Sequence, residues 1–345
     1  MLEADINLAT LKDNIAALKG RTNAKFCAVV KSDAYGHGLV RVARAAQEYS
    51  DELAVAVFSE AAELADHGIT IPINILGPTD FSGFESKTYT MSDIIPTICA
   101  VRALNEQAGG FKKVNIKLNT GMNRLGLTLD GLGAVIAELK RRGIKIGSVF
   151  THLYNAANAV ETNKQLAVFQ KAEKYFGRDA ETFHAWASAF ADMPPAVHFG
   201  MVRPGIALYG YRPYTKPVMS VRTSILQLTD VKAGEHIGYG DYTAPRDTRL
   251  AAVRLGYGDG YRRIRDGGDG GRAVAINGVL CPVAGQVCMD VTMVDVGGVR
   301  LTGGERVYIL GGGVTGQMLA ESYGTIIYEV LTSFNPKRIK RNYIE

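Results

Sequence analysis

The chain has 345 residues, 47% apolar and 21% charged, with 39 glycines and a formal net charge of +5. That length exceeds one ordinary core, so one large domain with a smaller one, or a single barrel with additions, is expected. The modest charge argues against a nucleic-acid partner, and no apolar run reaches bilayer length, which argues against a membrane protein.

In chain order, the first two thirds alternate short apolar runs with helical patterns. "KFCAVV" (25–30), "ELAVAV" (52–57), "INILG" (73–77), "VNIKLN" (114–119), "IGSVF" (146–150), "FHAWA" (183–187) and "GIALYG" (205–210) read as strands. They are rich in Val and Ile and apolar on both faces, as buried parallel strands are. Between them, "SEAAELADHG" (59–68), "LDGLGAVIAELKRRG" (129–143) and "ETNKQLAVFQKAEKYFG" (161–177) read as amphipathic helices. The last two end on a glycine that suits a left-handed cap. Repeated strand–helix units predict an α/β fold, an N-terminal (βα)8 TIM-like barrel, with a doubly wound sheet as the competitor.

Beyond "YRPYTKPVMSV" the helical patterns nearly vanish. "SILQLTDVKAGEHIGYGDYT" (224–243), "TRLAAVRLGYGDGYR" (248–262), "RAVAINGVLCPVAGQV" (272–287), "DVTMVDV" (290–296) and "ERVYILGG" (305–312) read as antiparallel strands joined by glycine turns. Asn277-Gly278 is a hairpin signal. The division expected is a barrel over 1–218 and a C-terminal β-rich domain over 219–345. The basic run "NPKRIKRNY" (335–343) reads as a solvated tail. The N-terminus lacks a basic-then-apolar signal pattern. Cys27, Cys99, Cys281 and Cys288 form no CxxC, so reduced thiols in the cytoplasm are expected, with no disulfide. No metal site is expected, because no ligand spacing such as HExxH occurs. "GGGVTG" (311–316) lacks the GK[ST] ending of a phosphate loop.

Functional residues of a βα barrel sit where strands end at the C-terminal face. Lys31 closes "FCAVV", Lys117 sits in "VNIKLNTGMNRLG", His152 follows "GSVFT", Ser188 follows "HAWA", and Arg203 precedes "PGIALYG". A buried lysine at a strand end loses basicity and gains nucleophilicity, which a Schiff-base lysine needs.

Taken together, the motifs resemble the alanine racemase family over nearly the whole chain. "AVVKSDAYGHG" (28–38) looks like its pyridoxal-phosphate lysine motif. "ADINLATLKDNI" looks like its opening strand and helix, and "KLNTGMNRLG", "THL", "MVRPGIALYG", "IGYGDYT", "LGYGDGYRR", "GQVCMD" and "IIYEVL" follow in order. The resemblance implies an N-terminal barrel, a C-terminal β domain, a head-to-tail homodimer and pyridoxal 5'-phosphate as cofactor. Lys31 is implied to hold the cofactor. Tyr35, Ser188, the backbone at Gly205 and Ile206, and Tyr328 would form its phosphate cup. His152 would pack on its ring and Arg203 would face its ring nitrogen. Lys31 and Tyr239 are the implied bases, Lys31 for the D-isomer and Tyr239 for the L-isomer, with His152 and Arg203 as cationic support for Tyr239. Arg124 would touch the cofactor and the substrate carboxylate. Lys117 matches a lysine often carbamylated in the family. Tyr239 and Met289 would reach the site of a second copy.

Four positions depart from the family pattern. Asn119 and Asn158 stand where aspartate is common, Ala187 where asparagine is, and Gln286 where arginine is. Asn158 and Gln286 fall at the implied substrate entrance beside Tyr257 and Arg263. Losing both charges together implies a less strictly gated entrance. A serine or broader amino-acid racemase is therefore the alternative to an alanine racemase. The decarboxylase branch of the fold lacks its cysteine-bearing segment here. A cofactor-binding protein without turnover would resemble the barrel alone.

Overall fold

The computed structural model describes residues 2–78, 94–100, 112–263 and 271–345. The chain forms two compact units. One comprises Thr10–Ala34 and Gly38–Lys216; the other comprises Met1–Ala9, Tyr35–His37 and Pro217–Glu345. β1 (Leu2–Asn7) and α1 (Leu8–Lys19) open the chain.

The first unit is a parallel barrel. Its strands are β2 (Lys25–Val29), β3 (Glu52–Val55), β4 (Ile73–Ile75), β5 (Ile94–Ile95), β6 (Thr97–Ile98), β7 (Lys113–Lys117), β8 (Lys145–Phe150), β9 (Ala180–His184) and β10 (Met201–Val202). The sheet orders are β10-β2-β3-β4-β5 and β6-β7-β8-β9. Pro96 interrupts β5 and β6, which count as one strand because proline cannot donate to the ladder. Gly200 N–H donates to Phe183 O and Arg203 N–H to Trp186 O, both at 3.0 Å, joining β9 to β10 and closing the ring. Eight strand positions result, as the alternating pattern predicts. Around them run α2 (Leu39–Gln47), α3 (Phe58–Asp66), α4 (Leu129–Arg141) and α5 (Ala159–Phe176). Gly143 (φ 69°) and Gly177 (φ 53°) follow α4 and α5 in the left-handed region, as their caps require.

The barrel carries a polar chain that the apolar reading of its strands does not predict. Ser148 Oγ donates to Asn115 Oδ1 at 2.7 Å, Asn115 Nδ2 to Asn74 Oδ1 at 2.7 Å, and Asn74 Nδ2 to Glu52 Oε2 at 2.6 Å. Each buried member thereby keeps a partner. "GIALYG" is a second difference. It is not a strand: Leu208 N–H bonds Gly205 O, Tyr209 N–H bonds Ile206 O, and Gly210 N–H bonds Ala207 O. These successive turns point the first N–H groups of the segment back against the chain direction, as at a helix start.

The second unit is built on the long β11 (Met219–Val231) with β12 (Thr248–Val253), β13 (Ala273–Ile276), β14 (Val279–Pro282), β15 (Thr292–Asp295), β16 (Arg306–Leu310) and β17 (Ile339–Ile344). Its sheet runs β14-β13-β16-β11-β1-β17, with β12 joining β11 to β15. Asn277 (φ 51°) and Gly278 (φ 78°) make the β13–β14 hairpin turn, as their sequence predicts. β1 pairs antiparallel with β11 and parallel with β17. The basic run is therefore not a solvated tail. Its Ile339–Ile344 part is a sheet strand, and Arg338 is held by Asp259 at 2.9 Å and Asp290 at 2.5 Å. Two short helices, α6 (Gly316–Ser322) and α7 (Ile327–Ser333), precede that strand.

Candidate active site

In the barrel, the chain leaves β2 through Val30 and enters a left-handed turn at once. Ser32, Asp33, Ala34 and Tyr35 all have φ between 53° and 56°. Such a run costs roughly 1–2 kcal/mol per non-glycine residue, so its surroundings must hold it. Ala34 N–H bonds Val30 O at 2.9 Å, Gly38 N–H bonds Asp33 O at 2.9 Å, and Asp33 Oδ1 takes Leu39 N–H at 2.8 Å. Lys31 heads this turn. Burial and the Arg124 charge lower its pKa, against a smaller raising effect from Glu60. A larger share of neutral, nucleophilic amine results.

Arg203 is buried at 3% exposure. It donates to His184 Nδ1 and, at 2.7 Å, to Thr151 O. Desolvation lowers its pKa to about 10, which leaves it charged at neutral pH. The His184 ring stacks on Phe150 with centroids 5.1 Å apart, and the Arg203 guanidinium lies 5.1 Å from the same Phe150 ring. Burial, with Arg203, holds His184 well below its usual pKa. Sequence reasoning missed His184. The available signal was its place four residues before Ser188, at the end of a strand.

His152 follows β8. Buried Gln165 of α5 donates to its carbonyl at 3.1 Å and to Thr120 Oγ1 at 3.1 Å. Burial first, then Arg203, Arg124, Lys117 and Lys31, push the imidazole down to about 3. His152 is thus neutral near pH 7.

Ser188 Oγ accepts Gly205 N–H at 2.9 Å and Ala207 N–H at 3.2 Å. Between them, the Ile206 N–H has no acceptor among the described residues, although Ile206 is only 2% exposed. A buried N–H without a partner, flanked by a hydroxyl, at the start of a turn is an anion cradle.

Lys117 ends β7 and is 6% exposed. Its Nζ reaches Leu76 O at 3.4 Å and lies 5.7 Å from the Phe150 ring. No carboxylate pairs with it among the described residues. Burial first, opposed by Cys99 and reinforced by Arg124, Arg203 and Lys31, lowers its pKa. The loop that presents Arg124 is shaped by Asn119, whose Oδ1 accepts Gly121 N–H at 3.2 Å and Asn123 N–H at 3.0 Å. An aspartate would offer the same acceptor, so asparagine keeps the loop and drops a charge. Gly126 (φ 126°) closes that loop, and a Cβ there would lie 2.6 Å from Asn119 N. Asn158 caps α5 by accepting Glu161 N–H at 3.2 Å, again a task it shares with aspartate. Ala187 precedes Ser188 and offers no side-chain cap.

The second unit gathers the remaining predicted residues in three places. Tyr35 and Tyr328 lie with ring centroids 6.0 Å apart, and burial raises the Tyr35 pKa. Gly36 must be glycine, because its φ is 81° and a Cβ would strike Leu331 O. Tyr239, 62% exposed, lies under the Arg263 guanidinium at 5.9 Å, and Arg263 donates to Gln286 Oε1. Tyr257 and Met289 sit together: Tyr257 N–H bonds Cys288 O and Gly258 N–H bonds Met289 O, both at 3.0 Å. Fully buried Asp259 anchors that turn through Arg254 at 3.1 Å, Arg338 at 2.9 Å and Gly256 N–H at 2.9 Å.

A barrel with a lysine-headed strained turn and an anion cradle, followed by a β domain with exposed tyrosines, defines a class of cofactor-dependent enzyme fold. Comparison with known proteins narrows it. Residues 6–213 match the family model "Alanine racemase, N-terminal domain" and residues 218–343 match "Alanine racemase, C-terminal domain". The chain is 35% identical over 379 residues to a curated alanine racemase of Desulfosudis oleivorans, covering 99% of this chain and 96% of that protein. It is 35% identical to one of Sorangium cellulosum, covering 99% and 98%. The solved alanine racemase of Acinetobacter baumannii superposes with a TM-score of 0.87 at 31% identity over 99% of both chains. The chain belongs to the alanine racemase family.

The barrel residues fit an aldehyde that carries a phosphate, as pyridoxal phosphate does. Lys31 offers an amine of lowered basicity. The Ile206 N–H, without an acceptor among the described residues, suits a phosphate oxygen. Arg124, Lys117, Arg203 and Lys31 act on one another as an excess of positive charge that a dianion would balance.

Proposed function

We propose that the protein is an alanine racemase that interconverts L- and D-alanine with pyridoxal 5'-phosphate, acting as a homodimer. The observation that carries this reading is the Lys31 amine, held by a strained turn at the barrel mouth with its basicity lowered by burial and Arg124. Bound pyridoxal phosphate would supply an electron-withdrawing ring that acidifies the substrate Cα–H. Lys31 would hold the cofactor and, when free, take the proton from Cα of D-alanine. Ser188 and the N–H groups of Gly205 and Ile206, with Tyr35 and Tyr328, would bind its phosphate.

Arg203 has donors only and carries a positive charge, so it could not accept a hydrogen bond from a protonated ring nitrogen and would keep a nitrogen placed beside it unprotonated. The electron sink is then weak, and two well-placed bases carry more of the work. His184, through its Nδ1, orients the Arg203 guanidinium. Neutral His152 packs without adding charge. Arg124 would bind the substrate carboxylate, steadied by Lys117 once that amine is carbamylated. The low basicity of Lys117 favours the neutral amine that such a reaction needs.

Tyr239 would take the proton from Cα of L-alanine on the opposite face, supplied by a second copy of the chain along with the Met289 N–H. Its ring is exposed, and Arg263 sets its orientation. The test is racemisation of L-alanine read by chiral product detection, with Lys31→Ala and Tyr239→Phe beside the unmodified enzyme. Both variants are expected to lose nearly all turnover; full activity in either removes the two-base reading.

A further inference from the structure

Glu60 is not among the residues that the family resemblance implies for the site. It sits in the first turn of α3, where Val57 offers no side-chain cap. Its Oε2 accepts the Ala56 N–H at 2.9 Å, which is ordinary work for an acid at a helix start. Its Oε1 accepts the Ser32 N–H at 2.5 Å, from a residue 28 positions away in sequence. Helix capping does not explain that second bond.

We propose that Glu60 is a positioning residue for Lys31: its carboxylate ties the left-handed turn to the end of β3 and balances charge beside the lysine amine. Ser32 is the first left-handed residue, and its N–H directly follows Lys31. The bond from Glu60 thus fixes the turn at the point where the chain leaves its normal conformation. A turn of this hand needs such outside support.

The charges around Lys31 give the second argument. Arg124 comes from the loop after β7, Lys117 from β7 and His152 from the end of β8; each couples electrostatically to Lys31. Asp33, on the turn itself, gives one carboxylate oxygen to the Leu39 N–H. Glu60 is the anion that acts on the amine, raising its basicity against burial and Arg124. A residue that must both take and return a proton works best when neither form is too stable. Glu60 keeps the amine from becoming too weak a base. The proposal rests on the reading of Lys31 as a proton-transfer residue.

The experiment uses the holoenzyme and Glu60→Gln, Glu60→Asp and Lys31→Ala, with two readouts. The first is the pH profile of kcat/KM in each direction. Losing the anion lowers the Lys31 pKa, so the acid limb of the D-to-L reaction moves to lower pH in Glu60→Gln and stays near its original place in Glu60→Asp. The second is amide hydrogen exchange, which needs no turnover. Exchange at Ser32 and Ala56 rises by about tenfold or more in Glu60→Gln, while the rest of the barrel keeps its protection. An unmoved acid limb in a folded, loaded Glu60→Gln enzyme overturns the charge role, and unchanged exchange at Ser32 overturns the tethering role. A Lys31→Ala enzyme that still racemises overturns the functional reading itself, whatever Glu60 does.

Discussion

Arg203 donates a guanidinium hydrogen to Nδ1 of His184, and this fixes His184 as the neutral tautomer protonated at Nε2. Arginine cannot accept, so no other arrangement of that pair makes a hydrogen bond. Phe150 covers the His184 ring at an interplanar angle of 5° and also lies against Arg203, so three side chains from two neighbouring strands and β10's exit lock one another. His184→Phe keeps the stacking and leaves a buried Arg203 donor without an acceptor. A stability loss of about 1–3 kcal/mol is expected, read from the denaturant midpoint. His184→Gln, which retains an acceptor, is expected to lose less.

The same neutrality makes the protein acid-sensitive well above the carboxylate range. His152 is pushed down to about 3 and His184 well below its usual value, both chiefly by burial. The unfolded chain binds a proton on each near pH 6.5, and the folded chain does not. Their stability contribution is therefore complete above about pH 6.5 and falls as pH drops toward the folded values, by about 1.4 kcal/mol per pH unit for each group. Unfolding midpoints measured from pH 7 to pH 5 should fall, and His184→Gln should flatten part of that slope. A pH-independent midpoint over this window would show that neither imidazole is held neutral.

The strain at the lysine turn is open to a direct test. Ser32 is exposed. Ser32→Gly relieves a left-handed cost of about 1–2 kcal/mol and adds about 0.5–1 kcal/mol of unfolded-state entropy. Stability equal to or slightly above that of the unmodified protein is expected. Ser32→Val, β-branched at φ 56°, should be clearly destabilised on the same thermal or denaturant assay. A Ser32→Gly variant much weaker than the parent would mean that the serine hydroxyl, not the backbone, holds the turn.

The barrel was legible because its strands are short, branched and apolar, and its helices end on glycines that must be left-handed. Lys31, Lys117, His152, Ser188 and Arg203 were legible as strand-end polar residues. "GIALYG" misled because its apolar run matches a strand by composition, and only the hydrogen bonds distinguish successive turns. The run 335–343 misled because charge density cannot reveal that Asp259 and Asp290 await Arg338 across the sheet. His184 and Glu60 escaped notice for a related reason: each acts through a partner distant in sequence, Arg203 and Ser32. Tertiary contacts of single polar residues leave no periodic trace.

Asp259 offers a prediction in the β-rich unit. It is fully buried, and two arginines and the Gly256 N–H converge on it. Asp259→Ala would leave the Arg254 and Arg338 charges without their shared anion, a loss of about 3–5 kcal/mol. Asp259→Asn, which keeps the size and one acceptor, should fold better and shift the Tyr257–Met289 turn. If Met289 meets the substrate carboxylate, Asp259→Asn raises KM for alanine more than it lowers kcat. Exposed Asp290 bonds only Arg338 in this network, and Asp290→Asn should change both little.

Gln286 decides the last test, the breadth of the substrate. Arg263 donates to its amide oxygen, so the arginine beside Tyr239 is held by a neutral partner. An arginine at 286 could not accept that bond and would repel Arg263. Asn158 meanwhile caps α5 without a carboxylate's charge. If Asn158 and Gln286 belong to the substrate entrance, as the family pattern implies, neutral hydrogen-bonding groups stand there in place of an acid and a base. An entrance lacking that acid–base pair would discriminate weakly against one added hydroxyl, by about a hundredfold. kcat/KM for L-serine should therefore fall within about a thousandfold of that for L-alanine. Gln286→Arg should lower the serine-to-alanine ratio of kcat/KM. Serine turnover below that range, or a ratio that Gln286→Arg leaves unmoved, would sink the idea of a relaxed entrance and leave a strict alanine enzyme.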